Sequence, residues 1–306
     1  MDIARLGVHE SVGAVCPPAA FVEQLQDVDA AVSVVDEDVS AVDAVVTFGH
    51  ADAFVGLDWV HCIRAGYDDF PVEAYRDAGT ALTNSTGIHG ASVGETTLGL
   101  MLSLARRLHE YRDAQTERTW TTPAWDAPFT LRDERLTVVG LGTLGRGIAT
   151  RGDAIGMHVD GVRRTPARTP HVRTVYTPDR LHEAVADARF VAVAVPLTAS
   201  TRGLIDADAL AAMRDDAYLV NVARGAVVEE DALVTALETD ALAGAALDVF
   251  ETEPLPESSP LWDLDDVLVT PHAAPLDREY PTDVARLVRT NLRHAAADGA
   301  LVNRVA

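Results

Sequence analysis

The hexapeptide Gly140-Leu141-Gly142-Thr143-Leu144-Gly145 follows the β-branched run Thr137-Val138-Val139 and opens a stretch of helical periodicity. In a strand-turn-helix setting each glycine has a task. Gly140 permits the tight turn, Gly142 lets the main chain approach a pyrophosphate, and Gly145 lets helix and strand pack closely, with the phosphates on the helix N-terminus at Thr143 and Leu144. The same spacing elsewhere is often only a loop. The flanking strand and helix make dinucleotide binding the stronger reading here.

Three later apolar runs end in reactive side chains. Leu219-Val220-Asn221-Val222 leads into Ala223-Arg224-Gly225, Ala246-Leu247-Asp248-Val249-Phe250 into Glu251-Thr252-Glu253-Pro254, and the run ending at Thr270-Pro271 into His272-Ala273. Open α/β sheets bind ligands beyond the carboxyl ends of their strands. An arginine there could fork onto a carboxylate and a carbonyl, and a histidine could move a proton. Taken singly, Arg224 reads as a salt-bridge residue and the others as loop residues. Together, beside a dinucleotide site, they form a chemical set.

The strand His158-Val159-Asp160-Gly161-Val162 runs into Arg163-Arg164-Thr165. At this point of a nucleotide-binding sheet an acid holds the ribose 2′-hydroxyl of NAD, whereas an arginine accommodates the 2′-phosphate of NADP. Asp160 stands too early in the strand to replace the missing acid. The plain alternative, two solvated arginines, is weakened because the chain otherwise uses basic residues sparingly. The expectation is NADP(H) over NAD(H), with use of both left open.

The elements that must position these residues alternate along the chain as strands and helices, the pattern of an α/β protein with parallel sheets. In the first third, strands are expected at 3–8, 31–35, 42–47, 59–64 and 81–83, with a helix over 18–26. A largely apolar stretch, Thr97-Leu98-Gly99-Leu100-Met101-Leu102-Ser103-Leu104, lies in an expected helix over 92–108, long enough to join two domains. Beyond it come strands at 136–139, 157–162, 190–195, 218–222, 243–247 and 267–270, a helix over 144–155 and a last helix over 281–297. The fold class expected is two doubly wound domains: a Rossmann cofactor domain and a smaller flavodoxin-like substrate domain, or lid. The boundaries are 1–94, 95–274 and 275–306, the last segment returning to the substrate domain.

Length and composition agree with this. A chain of 306 residues suits two cores. Its N-terminus lacks a basic region followed by an apolar segment, and no apolar run reaches membrane-spanning length, so a soluble, cytoplasmic, non-membrane protein is expected. Cys16 and Cys62 suggest neither a disulfide framework nor a metal site, and no histidine or cysteine cluster has ligand spacing. The net charge of −22 makes nucleic acid an improbable partner. All 25 basic residues are arginine, against 47 acidic ones. This suggests the cytoplasm of a salt-accumulating halophile. A GC-rich genome would explain the arginines but not the excess of carboxylates.

With these motifs in view, the sequence resembles the D-isomer-specific 2-hydroxyacid dehydrogenase family over nearly its whole length. The resemblance rests on the glycine fingerprint, Pro196-Leu197-Thr198-Ala199-Ser200-Thr201-Arg202-Gly203-Leu204-Ile205, Asn221 to Gly225, Leu247 through Pro254, and Thr270-Pro271-His272. It implies NAD(P)-dependent, reversible reduction of a small 2-keto acid to its D-2-hydroxy acid, with Arg224, Glu253 and His272 catalytic. Glu253 fits the motif five positions after Asp248, where Glu251 is the tempting neighbour. Pro196, Thr201, Ala223 and Asp248 join the fingerprint and Arg163, Arg164 and Thr165 as cofactor-binding positions. Arg64-Ala65-Gly66-Tyr67-Asp68 looks like the loop whose Ala65 and Gly66 amides hold the substrate carboxylate together with Arg224, with His272 beside the carbonyl. A homodimer is also implied. Hydroxypyruvate or glyoxylate reductase and a short phosphoglycerate dehydrogenase stay open as variants, and a dinucleotide-sensing binding protein as a different class. Glu253 argues against a formate dehydrogenase, where glutamine is expected. Pro275-Leu276, after His272, departs from the small and hydroxyl residues often found there.

Overall fold

Seven short runs of four or five residues, 44–47, 59–62, 81–84, 135–139, 190–193, 218–221 and 244–247, are buried along all or nearly all of their length. Such runs occur in parallel sheets covered on both faces. The computed structural model describes residues Met1–Ala306 and divides into two compact units, Met1–Ile88 with Leu276–Ala306, and His89–Pro275.

The first unit carries β1 (Arg5–His9), α1 (Pro18–Gln24), β2 (Ala31–Val35), β3 (Ala44–Thr47), β4 (Trp59–Cys62), α2 (Val72–Ala78) and β5 (Ala81–Asn84). Its sheet is parallel, in the order β2-β1-β3-β4-β5, the flavodoxin-like arrangement. Along β3 the side chains alternate between two cores: Ala44 and Val46 join Phe21, Trp59 and Val288, while Val45 joins Phe54, Tyr75 and Leu82. After the last helix the chain runs antiparallel to β5, where Val305 N donates to Leu82 O at 2.7 Å and Asn84 N to Asn303 O at 3.2 Å.

The second unit begins with α3 (Gly90–Ala105) and α4 (Leu108–Glu117). It continues through β6 (Arg135–Val139), α5 (Thr143–Ala154), β7 (His158–Val162), β8 (Val175–Tyr176), α6 (Leu181–Val185), β9 (Phe190–Val193), α7 (Ala207–Ala211), β10 (Tyr218–Asn221), α8 (Glu230–Glu238), β11 (Gly244–Leu247) and β12 (Val267–Val269). Its seven parallel strands run β12-β11-β10-β9-β6-β7-β8, so the order reverses between β6 and β9, where such sheets open a ligand crevice. The final helix, α9 (Tyr280–Ala296), returns to the first unit, where Tyr280, Val284, Ala285 and Val288 are buried with β1 and β3. No helix is long and apolar enough to cross a membrane.

Two expectations are corrected. The units part at residue 88 rather than 94, and the expected helix over 92–108 is α3 followed by a break. A Cβ on Gly147 of α5 would lie 1.9 Å from Gly90 O, so the start of α3 packs backbone to backbone on the fingerprint helix and belongs with it. Arg107 then takes a positive φ of 55° and starts α4. The helices α2, α4, α6, α7 and α8 and the strand β8 were not expected. Several are a turn or two long, and α4 buries no side chain, so apolar periodicity gives no signal for it.

Candidate functional site

The fingerprint turn is built by close approach. Gly140 has φ 102°, and a Cβ there would sit 2.5 Å from Ala194 O. A Cβ on Gly145 would fall 1.7 Å from Gly140 O, so helix α5 can start where it does only if that position is glycine. Gly142 differs. It is the N-cap of α5, no side chain caps the helix, and a Cβ there would meet nothing within 4 Å. The first-turn amides of Thr143 and Leu144 therefore open onto unfilled space with the positive end of the helix dipole behind them, which suits a phosphate.

At the end of β7, Arg163 is half-buried and Arg164 and Thr165 are exposed, and neither guanidinium is in an ion pair. The segment 163–174 contains no carboxylate. Asp160 is occupied elsewhere, accepting Thr174 N at 3.0 Å along the β7–β8 edge. After β9, the Thr201 hydroxyl donates to Pro196 O at 2.6 Å and accepts Thr198 N at 2.8 Å, which clasps the loop.

The ends of β10, β11 and β12 carry the reactive set. Asn221, 1% exposed, shapes the turn before Arg224: its Oδ1 accepts Ala223 N at 3.1 Å and its Nδ2 donates to Arg224 O at 3.1 Å. Arg224 Nη1 donates to Ala223 O at 2.7 Å. A Cβ on Gly225 would lie 1.8 Å from the Phe250 carbonyl carbon, so this turn rests directly on the main chain that follows β11. From there Glu253 reaches back, accepting Phe250 N on Oε1 at 3.0 Å and meeting His272 Nδ1 with Oε2 at 2.9 Å. Both side chains stay about two-fifths exposed, at 38% and 40%. The Glu251 amide donates to Glu230 Oε2 at 3.2 Å, and its carboxylate is in no ion pair with His272. A carboxylate can only accept, so Nδ1 carries the proton shared with Glu253, and Nε2 makes no hydrogen bond to the chain. His272 has φ 52°, left-handed for a side-chain-bearing residue. Asp248, 1% exposed, accepts Thr270 Oγ1 at 2.6 Å and the amides of Ala273 and Ala274 at 2.9 Å each.

In the first unit, the loop after β4 is held by its carbonyls. Asn84 Nδ2 donates to Ala65 O at 2.8 Å and Tyr280 Oη to Ile63 O at 2.7 Å, while Arg64 binds Phe48 O at 2.6 Å and Asp69 at 2.5 Å. The amides of Ala65 and Gly66 make no hydrogen bond to the rest of the chain. Below the loop, His61 is completely buried between Thr83 Oγ1 at 2.8 Å and Ser85 Oγ at 3.1 Å. Burial lowers its pKa to about 3. Sequence reading missed Asn221, Thr270, Asn84 and His61 as shaping residues, because each acts through one or two bonds that no spacing reveals. His109, Glu110 and Asp266 bring ligand-type atoms within 4.8 Å of one another. Arg107 already pairs with both carboxylates.

Known proteins are similar to this chain in sequence and in fold. The family model described as the D-isomer specific 2-hydroxyacid dehydrogenase NAD binding domain matches residues 98–274. A glyoxylate reductase of Korarchaeum cryptofilum is 32% identical over 284 residues, 90% of this chain and 82% of that one. Among solved structures, a D-isomer specific 2-hydroxyacid dehydrogenase from Xanthobacter autotrophicus in complex with NADPH and MES is 31% identical, with a TM-score of 0.82 over 99% of this chain and 98% of that one. An NADPH-dependent glyoxylate/hydroxypyruvate reductase from Sinorhizobium meliloti in complex with NADP and malonate is 29% identical, with a TM-score of 0.83 over 99% and 97% of the two chains. With the fingerprint, the strand-end set and these matches in agreement, the chain belongs to the D-isomer-specific 2-hydroxyacid dehydrogenase family.

Proposed function

We propose that this enzyme reduces a small 2-keto acid, of the glyoxylate or hydroxypyruvate type, to the D-2-hydroxy acid with NADPH preferred over NADH. The observation that carries the reading is the Glu253–His272 pair, 2.9 Å apart at the strand ends of the sheet that bears the fingerprint. When bound, the reduced nicotinamide supplies a hydride to C2. His272 donates the proton that the developing alkoxide needs, from Nε2, while Arg224 offsets the same negative charge. Glu253 accepts the Nδ1 proton and so fixes the orientation of the ring. The unengaged amides of Ala65 and Gly66 are suited to the substrate carboxylate.

The cofactor preference is supported by Arg163 and Arg164, which stand without ion pairs in a segment without carboxylates. In molar salt the Debye length is about 3 Å, so only directly bonded, preferably bidentate contacts would still hold a 2′-phosphate. The arginine-only, strongly acidic composition supports a cytoplasmic enzyme of a salt-accumulating cell. A homodimer is supported by Trp120 and Trp125, 99% and 93% exposed on the segment between α4 and β6. Two bare indoles of this kind are an interface signature. Sedimentation of wild type and of the W120A/W125A double variant tests it, with a shift to monomer expected in the variant.

The experiment for the function is reduction of a 2-keto acid panel in molar KCl with NADPH and NADH, comparing wild type with Arg163→Asp. Turnover with an NADPH preference that the variant loses is expected. Failure of every keto acid with either cofactor, in folded protein, would favour a dinucleotide-sensing role.

A further inference from the structure

The carboxylate of Asp248 is 1% exposed and makes no ion pair, so its charge is balanced by hydrogen bonds alone. Thr270 Oγ1 at 2.6 Å and Ala273 N at 2.9 Å meet Oδ1, and Ala274 N meets Oδ2 at 2.9 Å. The main-chain carbonyl of the same residue accepts His272 N at 2.8 Å. These four bonds bracket His272 from both sides. Ala274, 1% exposed, is packed in the core, and its carbonyl accepts Thr96 Oγ1 of α3 at 3.3 Å, which anchors the far end of the turn. Between these anchors His272 holds the left-handed φ of 52°, a conformation that a side-chain-bearing residue keeps only where its surroundings over-determine it.

We propose that Asp248 and Thr270 are positioning residues for His272: the buried carboxylate and its hydroxyl partner fold the 270–274 turn so that the imidazole meets Glu253 with Nε2 free to deliver a proton. This rests on the reading of His272 as the proton donor, and it gives Asp248 a task other than contact with the cofactor. Thr270 stands two residues before the histidine, its carbonyl accepting His272 N at 3.0 Å and its hydroxyl donating to Asp248.

Three variants separate the possibilities. Thr270→Val removes the 2.6 Å bond at constant shape, Thr270→Ser restores the hydroxyl, and Asp248→Asn replaces one accepting oxygen by a donor. Expected for Thr270→Val is a fall in kcat of about tenfold or more, since small misplacement of a reacting group is costly. NADPH affinity, read by fluorescence titration, should stay within about twofold, because no positioned cofactor contact is lost. Thr270→Ser should recover most of the rate. The downfield His272 Nδ1 proton resonance, a readout independent of turnover, should weaken in Thr270→Val and Asp248→Asn and persist in Thr270→Ser. Weakened NADPH binding with kcat at saturating cofactor unchanged would overturn the proposal in favour of a cofactor contact. An unchanged resonance and unchanged kcat in Thr270→Val would overturn it outright. If His272→Asn kept wild-type turnover, the proton-donor reading would fail instead, while the resonance would still report whether Asp248 and Thr270 set the ring.

Discussion

Acidification should destabilise the first unit through His61. The ring is completely buried between two hydroxyls, and its pKa is lowered to about 3. An unfolded chain returns it to about 6.5. Because the folded value is the lower one for a base, the unfolded state takes up a proton that the folded state refuses. Stability is therefore unaffected above about 6.5 and falls as the pH drops from there toward 3, by about 1.4 kcal/mol per pH unit. Between pH 7 and pH 5 the loss from this one group is about 2 kcal/mol. The assay is chemical denaturation in molar KCl at both pH values, for wild type and for His61→Gln, with Trp59 fluorescence as a local probe. Other titrating groups contribute equally to both proteins and cancel in the difference. The stability gap between them should close or reverse by about 2 kcal/mol on going to pH 5. Parallel losses in the two proteins would refute the idea that His61 is kept neutral by burial.

Replacing Gly145 with alanine would place a Cβ 1.7 Å from Gly140 O, so the fingerprint turn must shift; at least a tenfold loss of NADPH affinity is expected by fluorescence titration, with near-wild-type affinity the contrary result. Glu253→Gln removes the carboxylate that orients the His272 ring at 2.9 Å, so kcat in keto-acid reduction should fall by about tenfold or more while NADPH affinity changes little; an unchanged kcat would remove Glu253 from its role. With a net charge of −22, the folded state should gain several degrees in Tm on moving from about 0.1 M to molar KCl, as scanning calorimetry would show, because salt screens the mutual repulsion of the carboxylates.

Sequence patterns reveal strongly those parts of the molecule where one residue type has one job. The glycine spacing after Thr137-Val138-Val139 marks a turn that Gly140 and Gly145 alone can make. The buried strands β9, β10 and β11 are readable as short apolar runs. What pattern could not reveal lies in pairings across sequence distance. Nothing local says that Asn221 folds back on Arg224, that Thr270 answers Asp248 twenty-two residues earlier, or that the helix at Gly90 belongs with α5 because Gly147 lets it approach. Edge elements such as β8 were also invisible, since a two-residue strand carries no alternation. Glu253 rather than Glu251 could be chosen only by resemblance. In the fold, Glu253 turns back to His272 while the Glu251 amide is drawn to Glu230.

The most direct measurement is the fate and hand of a transferred hydride. With NADPH dideuterated at C4 of the nicotinamide and hydroxypyruvate as substrate in molar KCl, deuterium should appear at C2 of the product, and the product should be the D-hydroxy acid. An L product, or turnover that leaves no deuterium on C2, would contradict the assignment.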